Sequence, residues 1–333
     1  MTALLAWIEL AFCAGVIAVA GSALVRNGEV IALRLGLSRS WIGLVLLATA
    51  TSLPELFTGV SSVAVANAPN IAVGDALGSC LFNLLLLVLL DVLSRDEPMY
   101  RRIDQGHILT AGFGVILIGA VGALILLGRD QLDLRIAHVS GYTPLIVILY
   151  LVAVRAANDY ERRTPRAPLE EAAGVSLKEA LLRYAAAAAV VVAAGVWLPF
   201  IGQGIAEAMG WKTTFVGTML IAGATSLPEL VVSISALRIG AVDMAIGNIL
   251  GSNLFDMIVL AVDDLAYTRG SLLAEVTPAH AITAFAAVIM SGIFIVALLY
   301  RPQTRLRGTL GWVSLSMLLV YLFSSYAIYL HGL

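Results

Sequence analysis

The chain is predicted to be an all-α polytopic membrane protein, and three observations predict it. Hydrophobic residues make up 60 % of its 333 positions and charged residues only 13 %, about half the roughly 25 % usual in soluble domains. A water-soluble globule of this size could not bury so much apolar surface, so lipid has to cover it. Apolar runs of helical length recur along the whole chain, each near the roughly 20 residues needed to cross a bilayer. Finally, two stretches are copies of each other. Without gaps, residues 41–66 match 215–240 at 11 of 26 positions, and 72–83 match 245–256 at 7 of 12.

Taken in order, the apolar runs predict about ten transmembrane helices. The first, near 3–25, reads AFCAGVIAVAGSA in its middle, small side chains that permit close helix packing in lipid. The second, 41–66, and third, 69–91, carry the first copied motif. The fourth, near 107–127, is apolar throughout, and the fifth, near 139–154, is short. After a polar stretch from Arg155 the sixth, near 180–200, reads YAAAAAVVVAAGV and shares the small-residue character of the first. The seventh, 213–238, and eighth, 242–262, carry the second motif, and runs near 278–300 and 309–330 complete the set. The small residues of the first and sixth helices fit static close packing and fit sliding equally well.

Lysine and arginine orient the chain, because they favour the cytoplasmic side. With the N-terminus outside, sixteen of them fall in inner segments, and only Arg129, Arg135, Lys212 and Arg269 fall in outer ones. Both termini are therefore expected outside. The polar stretch, residues 156–178, is expected to be a cytoplasmic linker between a first five-helix unit, 1–155 with its motif at 41–91, and a second, 179–333 with its motif at 215–264. Five is odd, so equivalent helices run in opposite directions. The two units form an inverted repeat, an arrangement that brings two half-sites together near the membrane centre.

The chemistry lies in the copied motif. Each copy contains TSLPEL, ending at Glu55–Leu56 and at Glu229–Leu230, followed by GSCLFN up to Asn83 or GSNLFD up to Asp256. Thr51, Ser52 and Glu55 stand at i, i+1 and i+4, so hydroxyls and carboxylate share one helical face. Pro54 cannot donate to the carbonyl of Ala50 and should kink or break the helix there. Thr225, Ser226, Pro228 and Glu229 repeat the arrangement. The partner helices contribute Ser79 with Asn83 and Ser252 with Asp256, again at i and i+4. Acids inside apolar helices are costly and mark substrate paths. The donors are all oxygen, which suits hard cations such as Ca²⁺, Na⁺, Mg²⁺ or Mn²⁺. No Lys or Arg lies inside the motif spans, Arg238 at the end of one excepted. Asp75 takes the place of Asn248, one turn before Ser79, where it could add charge to the site, relay protons or face a crevice; Cys80 takes the place of Asn253 and is expected to pack, and Glu9 is expected at the interface. Asp91, Asp263 and Asp264, at span ends, are expected to face water.

The motif pair resembles the α-repeats of the cation/calcium exchanger superfamily, in particular its prokaryotic sodium/calcium exchanger branch. That resemblance implies ten helices in an inverted repeat and four central ligands, here Glu55, Asn83, Glu229 and Asp256. It implies support from the hydroxyls of Thr51, Ser52, Ser79, Thr225, Ser226 and Ser252 and from the carbonyls of Ala48 and Ala222. It also implies that the first and sixth helices slide across the rest. The sequence departs from the family pattern at Ala50 and Ala224, where glycine is usual, and at Asp75 and Cys80, where asparagine is usual.

Charge counting suggests how such a site would work. Glu55, Glu229 and Asp256 offer at most three negative charges, and moving them uncompensated through a low-dielectric interior costs several kcal/mol per ion. One Ca²⁺, or two or three Na⁺, would offset that cost, so only a loaded carrier crosses. The expectation is a secondary antiporter in a cell membrane, exchanging Na⁺ for Ca²⁺, with H⁺-driven exchange as the alternative and a passive cation channel behind it. No nucleophile–base set or cofactor fingerprint is present, so neither an enzyme nor a cofactor is expected. No nucleic-acid or protein partner is indicated; the partners are the transported ions and the bilayer.

Overall fold

The computed structural model describes residues 3–34, 47–94, 99–127, 135–163, 175–302 and 311–331. Almost all of them are helical. The elements are α1 (Ala3–Arg34), α2 (Ala48–Thr51), α3 (Leu53–Ala64), α4 (Pro69–Leu93), α5 (Gly106–Leu127), a two-stranded hairpin of β1 (Arg135–Ile136) and β2 (Val139–Ser140), α6 (Tyr142–Arg163) and α7 (Leu177–Met209). Then follow α8 (Thr213–Phe215), a π-helical segment (Val216–Ile221), α9 (Ala222–Thr225), α10 (Leu227–Arg238), α11 (Val242–Ala266), α12 (Leu272–Glu275), α13 (His280–Tyr300) and α14 (Trp312–His331). The hairpin pairs Arg135 with Ser140 and Ile136 with Val139 in antiparallel register.

Among the described residues, eight helices are long and apolar enough to cross a membrane, and the Thr213–Arg238 pair, bent by 44°, makes a ninth. The protein is an integral membrane protein. The expected second span begins in residues 41–46, outside the described residues. Helix α6 continues through Arg163, into the stretch expected as the linker.

The two helices flagged for small residues are also the longest. Helix α1 has 32 residues and α7 has 33. At 1.5 Å per residue each runs to about 50 Å, well beyond the roughly 30 Å of hydrocarbon. Helix α7 starts at Ser176, whose hydroxyl accepts from the amide of Glu179 at 3.2 Å, satisfying a donor that the helix itself leaves free. It ends at Gly210, whose φ of 67° suits a residue without a Cβ.

Burial divides the molecule. One large apolar core joins α4, α5, α6, α11, α13 and α14, with Leu77, Leu84, Ile249, Met257 and Phe294 fully buried. Two smaller clusters hold α1 and α7 against it. One contains Ile17, Ile71, Leu198 and Ile221, the other Leu24, Ala50 and Val191. Trp7, Trp211, Phe215 and Tyr329 stack edge to face, with successive centroids 6.1, 5.4 and 5.3 Å apart. Amphipathic rings of this kind collect at membrane–water interfaces.

The three acids expected at span ends in contact with water are instead buried. Asp91 is 1 % exposed, and Asp263 and Asp264 are 0 % exposed. The chain that follows each helix folds back over its end. Asp91 accepts from the amide of Met99 at 3.3 Å and from Ser314 at 2.6 Å. Asp264 accepts from the amides of Ser140 and Leu272, each at 2.9 Å, and from the hydroxyls of Ser140, Tyr142 and Thr143. In both cases an amide eight residues on closes the loop, so these two acids are matching structural clasps. Asp263 has no such duty.

A candidate cation-binding site

The first motif breaks where its proline requires. Ser52 leaves helical geometry at φ −86°, ψ 11°, between α2 and α3, and Ser226 does the same at −80°, 9° between α9 and α10. Each proline falls in the first turn of the new helix, where its missing N–H costs nothing. Glu55 and Glu229 also lie in those first turns. Amides left free at a helix N-terminus favour negative charge, so the break both bends the span and supports its carboxylate.

The two motifs then meet by exchanging partners. Oε1 of Glu55 accepts from Ser79 at 3.4 Å and from Ser226, in the other motif, at 3.3 Å. Oε1 of Glu229 accepts from Ser252 at 3.1 Å and from Ser52, again across the motifs, at 3.3 Å. The Thr51 hydroxyl lies 3.2 Å from that of Ser252, and the Thr225 hydroxyl 3.5 Å from that of Ser79. Each threonine hydroxyl also reaches the carbonyl three residues back, Ala48 at 3.2 Å and Ala222 at 3.1 Å. Those two carbonyls accept the amides of Ser52 and Ser226 as well, each at 3.0 Å.

The ten expected site residues other than the two alanines are each at most 1 % exposed. One oxygen on each of the four central residues has no hydrogen-bond partner among the described residues: Oε2 of Glu55, Oδ1 of Asn83, Oε2 of Glu229 and Oδ1 of Asp256. Such orphans are rare, and each requires an explanation. No three Asp, Glu, His or Cys side chains among the described residues stand close enough to hold a metal by themselves. A cation here would need amide and hydroxyl oxygens beside the carboxylates, which is the mixed set that Na⁺ and Ca²⁺ accept.

Several contacts were not legible in the motifs alone. Asp75 accepts from Thr225 at 2.9 Å, in the place where Thr51 meets the Oδ1 of Asn248 at 3.4 Å. The Cys80 thiol donates to Asp256 at 3.4 Å, and Asn253 donates to the Cys80 carbonyl at 3.3 Å. A Cβ on Gly21 would run into the ring of Pro228, while one on Gly195 would stand 3.2 Å from the Pro54 carbonyl. Gly21 and Gly195 are separated by the same 174 positions as the two TSLPEL copies, so extending the self-alignment upstream finds them. The π-helical segment at Val216–Ile221 had no sequence signal. It brings Thr218 against Gly78, where a Cβ would fall 2.8 Å from the Thr218 Cα.

Known proteins fit this geometry. The family model for the sodium/calcium exchanger protein matches residues 5–156 and again 179–330. The chain belongs to the sodium/calcium exchanger family. It is a transporter of cations rather than an enzyme, and its family exchanges Na⁺ and Ca²⁺. It is 28 % identical over 278 residues to the sodium/calcium exchanger MaX1 of Methanosarcina acetivorans, covering 73 % of this chain and 78 % of that one. It is 27 % identical over 243 residues to the inner membrane protein YrbG of Escherichia coli, covering 68 % and 72 %. Its fold matches a solved structure of the sodium-calcium exchanger NCX_Mj with a TM-score of 0.65 and 23 % identity, over 97 % of this chain and 98 % of that one.

Proposed function

We propose that this exchanger extrudes Ca²⁺ in return for Na⁺ by alternating access, through one site shared between two inverted five-helix repeats. Glu55, Asn83, Glu229 and Asp256 hold the cargo ion, with the hydroxyls of Thr51, Ser52, Ser79, Thr225, Ser226 and Ser252 and the carbonyls of Ala48 and Ala222 completing its oxygen shell. The observation that supports this reading is that each of the four central residues of two cross-bonded motifs buries an oxygen without a hydrogen-bond partner among the described residues, in spans whose one basic residue is Arg238 at the end of one. Uncompensated carboxylates cannot cross a low-dielectric interior cheaply, so the empty site resists reorientation and the loaded one does not. Competition of Na⁺ and Ca²⁺ for Glu55 and Glu229 then couples the two fluxes.

The moving parts of this reading are α1 and α7. They pack on the bundle through clusters separate from the main core and cross the motif prolines at glycines. In the orientation favoured by Lys and Arg both termini face outside, and the membrane is the inner membrane of a prokaryotic cell.

The test is Ca²⁺ uptake into Na⁺-loaded proteoliposomes. The Glu55→Gln, Glu229→Gln variant should lose it, and uptake equal to wild type would overturn the site assignment. Asp75, bonded to Thr225, adds a fourth acid beside the site and supports a second reading, in which H⁺ drives the exchange. Replacing internal Na⁺ by an outward H⁺ gradient separates the two: uptake without Na⁺ assigns the coupling to protons.

A further inference from the structure

Among the described residues, Asp263 is the buried acid that neither the proposed exchange site nor a structural clasp employs. It is 0 % exposed, and neither carboxylate oxygen has a hydrogen-bond partner among the described residues. Its neighbour Asp264 collects five donors. Asp263 lies two helical turns beyond Asp256 on α11 and rests against Gly59 of α3, one turn beyond Glu55. A Cβ at position 59 would collide with both Asp263 oxygens, so the glycine leaves a cradle the size of the carboxyl group. The duplication does not account for it either. At the corresponding offset of 173 the first unit has Leu90, and Gly59 itself matches Ser233.

Among the described residues, no basic side chain of the elements packed on α11 bonds to this group, and the hairpin beside it brings Arg135 and His138, the latter within 3.1 Å of the Leu265 carbonyl. Helix α3 presents Glu55; α4 presents Asp75, Cys80 and Asp91; α10 has Glu229 and, at its far end, Arg238; α12 has Glu275. His107 of α5 pairs with Asp243 at 3.2 Å, at the opposite end of α11, about 30 Å away at 1.5 Å per residue. Helix α6 offers Tyr142, bonded to Asp264, and Tyr150, and its Arg155 pairs with Asp159. Asp264 adjoins Asp263 in the chain, and Asp75 lies on α4, which packs on α11. An unpaired carboxylate in such surroundings costs several kcal/mol. A neutral carboxylic acid costs far less, and no group of three or more Asp, Glu, His or Cys side chains among the described residues stands ready to hold a metal instead.

We propose that Asp263 is a proton-binding site separate from the central oxygen cluster, and that its proton keeps α3 and α11 in contact at Gly59. Loss of the proton leaves a bare charge in the seam, and water can reach it only if the two helices part. Because α3 carries Glu55, alkaline solution should then slow exchange whichever ion drives it.

Two measurements test this. Dicyclohexylcarbodiimide, which adds to protonated carboxyl groups in apolar surroundings, should label Asp263 in the unmodified protein, with labelling falling as pH rises. The labelling should persist in the transport-dead Glu55→Gln, Glu229→Gln variant, which separates this proposal from the central-site reading. In proteoliposomes, wild type should show a several-fold alkaline fall in rate, and Asp263→Asn should keep the acid-side rate and lose that fall. Absence of an Asp263 adduct at any pH would overturn the proposal, and so would an Asp263→Asn profile that superimposes on wild type. If the asparagine variant does not fold, the labelling of unmodified protein decides.

Discussion

Replacing Gly21 by alanine should slow exchange while leaving cation binding intact. Helix α1 crosses the second motif at this glycine, and the added Cβ would lie 2.7 Å from the Pro228 Cβ and nearer still to its Cγ, where ordinary contact begins at 3.4 Å. The helix must therefore retreat by at least 0.7 Å (3.4 − 2.7). A pyrrolidine ring cannot rotate aside as a flexible side chain would. Overpacking of this kind costs about 1–3 kcal/mol, a shift of roughly 5- to 150-fold in an equilibrium between two arrangements. The oxygens of the site belong to α2, α3, α4, α9, α10 and α11, none of which has to move. Gly15→Ala, on the same helix but with nothing within 4 Å, is the control. Initial Ca²⁺ uptake rates in proteoliposomes measure exchange, and calorimetric titration in detergent measures binding. Equal uptake rates for Gly21→Ala and Gly15→Ala would refute the reasoning that α1 bears on Pro228 during the cycle.

Other expectations follow from the same contacts. Gly78→Ala places a Cβ 2.8 Å from both the Thr218 Cα and the Ala222 Cβ, and backbone on the facing segment cannot yield cheaply. It should lower the unfolding temperature in detergent and abolish uptake, whereas Gly292→Ala, which meets nothing within 4 Å, should be neutral or slightly stabilising. Asp264→Ala strands four donors, since the Ser140 hydroxyl also reaches Ser271 at 2.7 Å, at about 1–3 kcal/mol for each one left buried and unsatisfied. It should reduce folded yield far more than Asp263→Asn, as read by size-exclusion chromatography.

The fold class and the site were legible for different reasons. Apolar length revealed the spans, because lipid demands that each backbone polar group be satisfied within its own helix. The candidate site residues could be named because duplication repeated the whole Thr-Ser-Pro-Glu set, and proline chemistry indicated where the helices break. The acids near span ends were misread as water-facing because a hydropathy run gives no information on what folds over its end. Asp91 and Asp264 are enclosed by loop amides eight residues onward, a contact that no local pattern announces. The pairing of motifs was hidden too. Residue spacing on one helix says that Ser52 and Glu55 share a face, but not that Ser52 serves Glu229.

That exchange of partners decides what kind of site this is. Ser52 donates to Glu229 and Ser226 to Glu55, so neither motif holds its own glutamate with its own first serine. A half-site duplicated for redundancy would couple within each motif; a single shared site couples between them. Double-mutant cycles distinguish the two, since contacting residues interact by about 0.5–3 kcal/mol and independent ones add within about 0.5. Ser52→Ala with Glu229→Gln, and Ser226→Ala with Glu55→Gln, should be non-additive in unfolding free energy. Ser52→Ala with Glu55→Gln, which share a helix face without a hydrogen bond, should add. Coupling confined to the within-motif pairs would show two separate sites, and the argument that one cation must satisfy both glutamates before the carrier turns would fail with it.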